Sequence, residues 1–274
     1  MPPLVVVEEL HHSFPDGWDA LSGVSLSIER GEFLALIGPN GSGKTTLAKH
    51  LNGLLKPSHG RVLVAGMDTR EVPVSTLARH VGYVFQNPDH QIFSPTVGEE
   101  LAFGPREQGV PAEEVQERVA RELEAFGLAP YAQVPPAVLP PSLRRKVAVA
   151  SVLTTCPELL ILDEPTVGLD ALEQEELLQR VAAYRDAGGT VLLISHDLEL
   201  VGRWASRCAL LSAGRLVALG APEEVLADVE GLLAAGMRPP ALVQLSALLP
   251  ELGLPKRLFC PEELALLLAP LFGS

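Results

Sequence analysis

Along this chain, short and almost wholly apolar runs alternate with longer stretches in which apolar residues return every three or four positions. Runs rich in Val, Leu and Ile occur at LVVVEEL (4–10), FLALIG (33–38), RVLVAG (61–66), VGYVF (81–85), LLILDE (159–164), TVLLIS (190–195) and CALLSAGRLVALG (208–220). Runs of this length, bounded by glycine and polar turns, read as β-strands. FLALIG, LLILDE and TVLLIS show no polar alternation, as strands do when helices cover both faces, and so predict a mostly parallel sheet. Helical spacing predicts helices over 44–54, 112–127, 143–156, 171–187 and 197–203. Glu113, Glu114, Glu117, Arg118, Arg121, Glu122 and Glu124 decorate the second of these as a solvated face. From Asn87 to about Pro157 the strand rhythm stops, which predicts a helical subdomain inserted into an α/β core. After Gly220 the strands end again, and 221–274 reads as a separate helical tail with joints at its PP and GLP elements.

A chain of 274 residues, 47% of them hydrophobic, can bury one substantial core and a small appended piece. Its net charge of −13 sets up a field that repels nucleic acid, so no nucleic-acid partner is expected. Cys156, Cys208 and Cys260 lie far apart without metal-ligand spacing, which fits buried thiols under reducing conditions. No run approaches the roughly 18 apolar residues of a membrane span, and no basic segment followed by an apolar one marks an export signal.

GPNGSGKT, residues 38–45, fits G-x-x-x-x-G-K-[ST] between an apolar strand and a helix, the context a phosphate-binding loop requires. Gly38, Gly41 and Gly43 let the backbone curl until its N–H groups face a phosphate. Lys44 supplies a cation to the β- and γ-phosphates and Thr45 a hydroxyl to Mg²⁺; Pro39, Asn40, Ser42 and Thr46 complete the stretch. LLILDEP sets Asp163 at the end of a buried strand, where its carboxylate holds Mg²⁺ directly or through water. Glu164 follows as the candidate base for an attacking water, and His196 ends another buried strand within reach of a γ-phosphate.

With these motifs in this order, residues 1–220 resemble an ATP-binding cassette ATPase. The resemblance implies a P-loop α/β core with a mostly parallel sheet, an N-terminal antiparallel β part, the inserted helical subdomain and a small helical C-terminal segment. It implies that Gln86 senses the γ-phosphate and Mg²⁺, that Phe14 in HSFPDGWDAL stacks on adenine, and that VGLD ends in the loop aspartate Asp170. It also implies a dimer in which ATP, with Mg²⁺, lies between one subunit's phosphate loop and the other's signature helix. VFQNPDHQIFSPTVGEELAFGP (84–105) and the tail are similar to the ATPases of energy-coupling factor importers of vitamins or transition-metal ions such as cobalt or nickel. In that group the C-terminal segment, 221–274 here, serves dimerisation. The likeness implies partners in a transmembrane coupling protein, with Asp89, Glu99 and Glu100 meeting its basic residues, and in a substrate-binding membrane subunit. The location it implies is peripheral, on the cytoplasmic face of the membrane. A nucleotide-binding scaffold with little hydrolysis and a soluble non-transport cassette ATPase are the alternatives.

The family signature LSGGQ aligns with Leu139, Pro140, Pro141, Ser142 and Leu143. The serine hydroxyl and glycine N–H groups of that motif bind the γ-phosphate held by the opposite subunit. Pro140 has neither hydroxyl nor N–H, and Pro141 lacks the N–H and the freedom of glycine. Losing two or three charge-assisted hydrogen bonds of roughly 1.5–3 kcal/mol each predicts an impaired signature. Because a signature serves the partner's nucleotide, the mismatch predicts a heterodimer with a subunit carrying an intact LSGGQ, while a homodimer stays open.

Overall fold

The apolar runs form strands, and between and beyond them the structure, a computed structural model, describes residues 2–15, 17–249, 254–255 and 258–272. The chain begins with β1 (Val5–Ser13), β2 (Asp19–Ile28) and β3 (Phe33–Ile37), followed by α1 (Lys44–Leu51), β4 (His59–Val64), β5 (Met67–Asp68), α2 (Val74–Leu77) and β6 (Val81–Val84). The inserted stretch holds α3 (Val97–Glu107), α4 (Ala112–Ala125) and α5 (Pro141–Leu153). Then come β7 (Leu159–Asp163), α6 (Ala171–Asp186), β8 (Thr190–Ile194), α7 (Leu198–Trp204), β9 (Arg207–Ser212) and β10 (Arg215–Gly220). The tail carries α8 (Pro222–Val225), α9 (Val229–Ala234), α10 (Ala241–Leu248) and α11 (Pro261–Phe272). Within the predicted tail, residues 250–253, 256–257 and 273–274, including the glycine of the GLP joint, lie outside the described residues.

One sheet runs β2-β1-β4-β5 and is antiparallel. The other runs β10-β9-β3-β8-β7-β6, parallel from β9 to β6 with β10 antiparallel at its edge. The three runs without polar alternation are its central strands, and every residue of β3, β7 and β8 is buried. Leu34, Leu36, Leu159 and Ile161 turn toward the antiparallel sheet. Phe33, Leu160 and Leu162 turn the other way, toward Val147 and Val149 of α5 and Leu177 and Val181 of α6. Each such side chain withdrawn from water contributes about 1.5–3 kcal/mol, so the strand ends that present the site are firmly held. Leu226, Leu232 and Val243 of the tail pack with Ala35, Ile37 and Val201.

Besides the short β5 and α2, two longer elements escape the sequence patterns. DALSGVSLSI alternates apolar with Ser and Gly and forms β2 beside β1, although no apolar run marks it. Gly98, Gly104 and Pro105 interrupt the helical signal of α3, which is nonetheless capped by the Thr96 hydroxyl accepting from the Glu99 N–H at 3.2 Å. The run over 208–220 is two strands, β9 and β10, folded back on each other at Ala213 and Gly214 with φ of 46° and 73°. Helix α5 starts at Pro141 rather than 143, because Pro140 is its N-cap and Pro141, with φ already fixed, fills the first turn.

Candidate functional site

The loop between β3 and α1 can be built only with its glycines. Gly38 sits at φ 148°, where a Cβ would lie 2.1 Å from the Leu211 carbonyl oxygen. Gly43, the left-handed N-cap of α1 at φ 102°, would place a Cβ 2.6 Å from the Ala20 carbonyl oxygen. Lys44 folds back over the loop, its Nζ donating to the Gly38 carbonyl at 2.8 Å and the Pro39 carbonyl at 2.9 Å. Burial lowers the pKa of this ammonium, while the nearby Glu164 and Asp163 charges favour its protonated form. Ser42 is 2% exposed and its Oγ has no hydrogen-bond partner among the described residues. A buried polar atom left over inside a loop of backbone donors fits a bound anion.

Strand β7 delivers Asp163 to the same place. Its Oδ2 accepts from the Thr45 hydroxyl at 3.0 Å and from the Tyr83 hydroxyl at 2.9 Å. Tyr83, on β6, is a participant that the sequence patterns miss, because VGYVF reads as core. Burial and the Asp163 charge raise its phenol pKa, so it remains a donor to the carboxylate. Glu164 turns the corner at φ 51°, held by its N–H donating to the Ile194 carbonyl at 3.0 Å. Its Oε2 lies 2.9 Å from His196 Nδ1, just beyond β8. Thus the adjacent ends of two parallel strands, paired at Asp163 and Ile194, bring together the proposed metal holder, base and histidine.

Gln86 is exposed two residues past β6 and lines the same cleft, along with Asn40, Gly41, Lys44, Thr46 and Trp18. Phe14 stands behind Trp18, nearly parallel to it at 5.7 Å between centroids, and it is Trp18, 49% exposed, that reaches the cleft. The aromatic expected at the site, Phe14, thus stands behind a second one, and only Trp18 lines the cleft. The cleft encloses about 160 Å³, less than the roughly 300 Å³ at which ligand pockets begin, and is open to solvent.

The signature stretch lies outside this cleft. Leu139 is buried, Pro140 and Pro141 are exposed, Ser142 and Leu143 are half-buried, and no side chain caps α5. Asp170 is also separate: it caps α6, accepting from the Glu173 N–H at 2.9 Å while its own N–H donates to Glu173 at 3.1 Å. Glu100 requires a correction. Helical periodicity turns it inward, where it is 4% exposed and accepts from the N–H groups of Phe93 and Ser94 at 3.1 and 2.9 Å, so it cannot meet a partner's basic residue. Glu99, one position away, is exposed.

Thr45, Gln86 and Asp163 offer only oxygen donors, the kind that Mg²⁺ prefers. Among the described residues no group of three or more His, Cys, Asp or Glu could hold a metal, so such an ion would enter with phosphate oxygens rather than into a protein cage. Below the aromatic pair, His12 packs edge-on against Phe14 at 4.8 Å and its Nδ1 lies 3.2 Å from Nε2 of the fully buried His50. Burial, aided by the nearby His12 and opposed by the Thr46 and Lys56 carbonyls, pushes His50 from 6.5 down to about 4. Its folded pKa lies below the unfolded one, so its contribution is complete above about pH 6.5 and is lost as the pH falls toward 4. Urea unfolding is expected to show about 2 kcal/mol lost from this group by about pH 5, and a shallower loss in His50→Gln.

The family described as ABC transporter matches residues 21–167. The energy-coupling factor transporter ATP-binding protein EcfA of Methanothermobacter thermautotrophicus is 42% identical over 244 residues, covering 88% of this chain and 78% of its own. A longer relative from Caldanaerobacter subterraneus, named for ATP binding in an ABC transporter, is 43% identical over 89% of this chain, which spans only 43% of that relative's length. Among solved structures, cbiO1 of Clostridium perfringens, described as part of the ABC transporter complex cbiONQ, superposes with a TM-score of 0.78 at 33% identity, covering 92% of this chain and 98% of its own.

Proposed function

The chain belongs to the ABC transporter family, and from that premise we propose that it is the ATP-binding and ATP-hydrolysing subunit of an energy-coupling factor importer, acting as one half of an asymmetric pair. The observation that carries this reading is a contrast within one chain: Lys44, Thr45, Asp163, Glu164 and His196 are complete and assembled, whereas the helix start that would serve a partner carries Pro140 and Pro141. The open cleft agrees, since a half-site of about 160 Å³ needs a second surface to close over a nucleotide.

In this reading the purine rests on Trp18, backed by Phe14, and the loop N–H groups with Lys44 hold the β- and γ-phosphates. When bound, Mg²⁺ neutralises phosphate charge, and Thr45, Gln86 and Asp163 are the residues that would hold it. Glu164 Oε2 takes the proton of the attacking water, and His196 Nδ1 keeps that carboxylate turned toward the γ-phosphate. A partner subunit supplies an intact LSGGQ-type helix over the same phosphate. Closure passes to a membrane coupling protein at the surface beside Gln86, where Phe93 and Phe103 are 65% and 43% exposed with rings in edge contact at 4.7 Å. Exposed Glu99, one helical turn before Phe103 on α3, is offered to basic residues, whereas Asp89 is already paired with Arg144 at 2.7 Å. No helix among the described residues is long and apolar enough to cross a membrane; the attachment proposed is peripheral, at the cytoplasmic face. Residues 1–220 are the ATPase domain and 221–274 the dimerisation segment; the cargo, a vitamin or a transition-metal ion, is bound by a separate membrane subunit.

Co-expression with a coupling membrane protein and a second cassette subunit is expected to yield an assembly that hydrolyses Mg-ATP. Lys44→Ala should weaken ATP binding by roughly a hundredfold, because a buried cation bonded only to carbonyls is lost from the phosphate site. Equilibrium binding of a fluorescent ATP analogue checks this, and an assembly whose turnover is indifferent to Lys44→Ala would contradict the reading.

A further inference from the structure

Arg145, in the second turn of α5, is 8% exposed and makes no ion pair with a carboxylate among the described residues. It donates instead to two main-chain carbonyls: Nη1 to Gln86 at 2.6 Å and Nη2 to Val167 at 3.1 Å. Gln86 belongs to the loop after β6, and Val167 to the loop that runs from Glu164 to Asp170. Among the described residues no other side chain is hydrogen-bonded to both. Burial alone lowers the pKa of this guanidinium, which marks a charge with no acidic neighbour to offset its desolvation. An unpaired buried cation is costly unless its donors are well satisfied. A forked, planar guanidinium satisfies two carbonyls on different loops at once with its donors in a fixed geometry.

Further contacts show how firmly α5 grips the first loop. Arg144 Nη1 bonds Asp89 at 2.7 Å, and Gln91 Nε2, whose side-chain oxygen accepts from the Phe85 N–H at 3.3 Å, donates to the Ala148 carbonyl at 2.9 Å. The second loop is held from α6 by Gln174, which donates to the Leu169 carbonyl at 3.1 Å, and from α5 by Arg145. Helix α5 begins at Pro141, only four residues before Arg145, so one rigid turn separates this junction from the surface offered to a partner.

We propose that Arg145 is a positioning residue that locks together the Gln86 loop, the loop following Glu164 and the first turns of α5. The two catalytic loops of this chain's own nucleotide site then move only with the helix start that faces the partner's nucleotide. The last clause rests on the dimer reading above; the lock between the loops does not. It links the state of one nucleotide to the other through a single guanidinium. Gln86 and Glu164 remain the groups that touch substrate, and Arg145 acts through their backbones.

The test uses the full chain as wild type, Arg145→Gln, Arg145→Lys and Arg144→Ala. Amide hydrogen exchange is followed over 86–91, 165–170 and 38–46, with and without Mg-ATP. Losing one charge-assisted bond per loop should speed exchange roughly tenfold in both 86–91 and 165–170 in Arg145→Gln, with 38–46 unchanged. Arg145→Lys, which keeps the cation without the fork, should fall between and carries the same reading if the glutamine variant does not fold. Arg144→Ala should loosen 86–91 alone. Turnover is measured with Pro140→Ser and Pro141→Gly also present in every chain, so that self-paired molecules are active. There, Arg145→Gln should lower kcat at least tenfold while ATP affinity stays within about twofold. Unchanged exchange in both loops, or loosening of only one of them, overturns the lock. Equal losses in kcat and ATP affinity would overturn the positioning role. If the chain with restored signature residues shows no turnover, the dimer reading fails, and the exchange result still decides the lock.

Discussion

Replacing Pro140 with serine and Pro141 with glycine is expected to raise the Mg-ATP turnover of the self-paired chain by roughly a hundredfold. The change returns a hydroxyl and two N–H groups to the start of α5, where the first-turn N–H groups and the positive end of the helix dipole face outward. Both prolines are exposed and no side chain caps this helix, so nothing else there substitutes for the missing donors. Two charge-assisted bonds at roughly 1.5–3 kcal/mol each would allow a still larger gain. Part of it is expected to be lost, because Pro141 presets φ for the first helical position and glycine there raises the entropy cost of ordering α5. A slightly lower melting temperature should therefore accompany the faster turnover. A steady-state phosphate-release assay checks it, and an unchanged rate in a folded variant would show that these positions do not limit the site.

Glu164→Gln is expected to reduce turnover by roughly 10²–10⁴-fold while leaving ATP affinity within about twofold. Glutamine keeps the shape of the side chain and can still meet His196 Nδ1, now at 2.9 Å from the Glu164 oxygen, but it cannot accept the proton of an attacking water. The backbone at φ 51° is held by the bond to the Ile194 carbonyl and does not depend on the side-chain charge, so the corner should survive. Removing a negative charge near Lys44 also takes away one of the two carboxylates that favour its ammonium form, a change that should show in the pH dependence of ATP binding rather than in its affinity at neutral pH. Single-turnover measurements separate the two effects. Loss of binding in parallel with turnover would assign Glu164 to holding the nucleotide instead.

Much of this molecule can be read from its sequence where one physical constraint acts alone. β3, β7 and β8 are covered on both faces and therefore appear as unbroken apolar runs, and Asp163, Glu164 and His196 stand out because they end such runs. The phosphate loop is equally legible, since Gly38 and Gly43 occupy conformations and contacts that exclude a side chain. Where two demands compete, the pattern fades. β2 alternates buried with half-exposed positions and carries Gly23, so it lacks an apolar run, while α3 hides behind Gly98, Gly104 and Pro105. Tyr83 resembles core because its ring is core; only the hydroxyl belongs to the site. Phe14 is the aromatic that the family resemblance names, whereas Trp18, stacked on it at 5.7 Å, is the one that lines the cleft, which no sequence pattern marks. Glu100 shares its acidic neighbourhood with Glu99 and differs only in the face of α3 that it occupies. Arg145 reads as one of three consecutive cations, and its contacts with Gln86 and Val167 depend on residues 59 and 22 positions away.

Mixing wild-type chain with a chain carrying Pro140→Ser, Pro141→Gly and Glu164→Gln together tests the shared site most directly. The wild type contributes an intact Glu164 and a blunted helix start; the triple variant contributes a restored helix start and no base. Each alone should hydrolyse Mg-ATP poorly, and the mixture should gain activity that peaks near equal amounts, because only the mixed pair builds one complete site. A mixture no faster than the sum of its two components, or unmixed wild type as fast as the mixture, would contradict a nucleotide site divided between two chains.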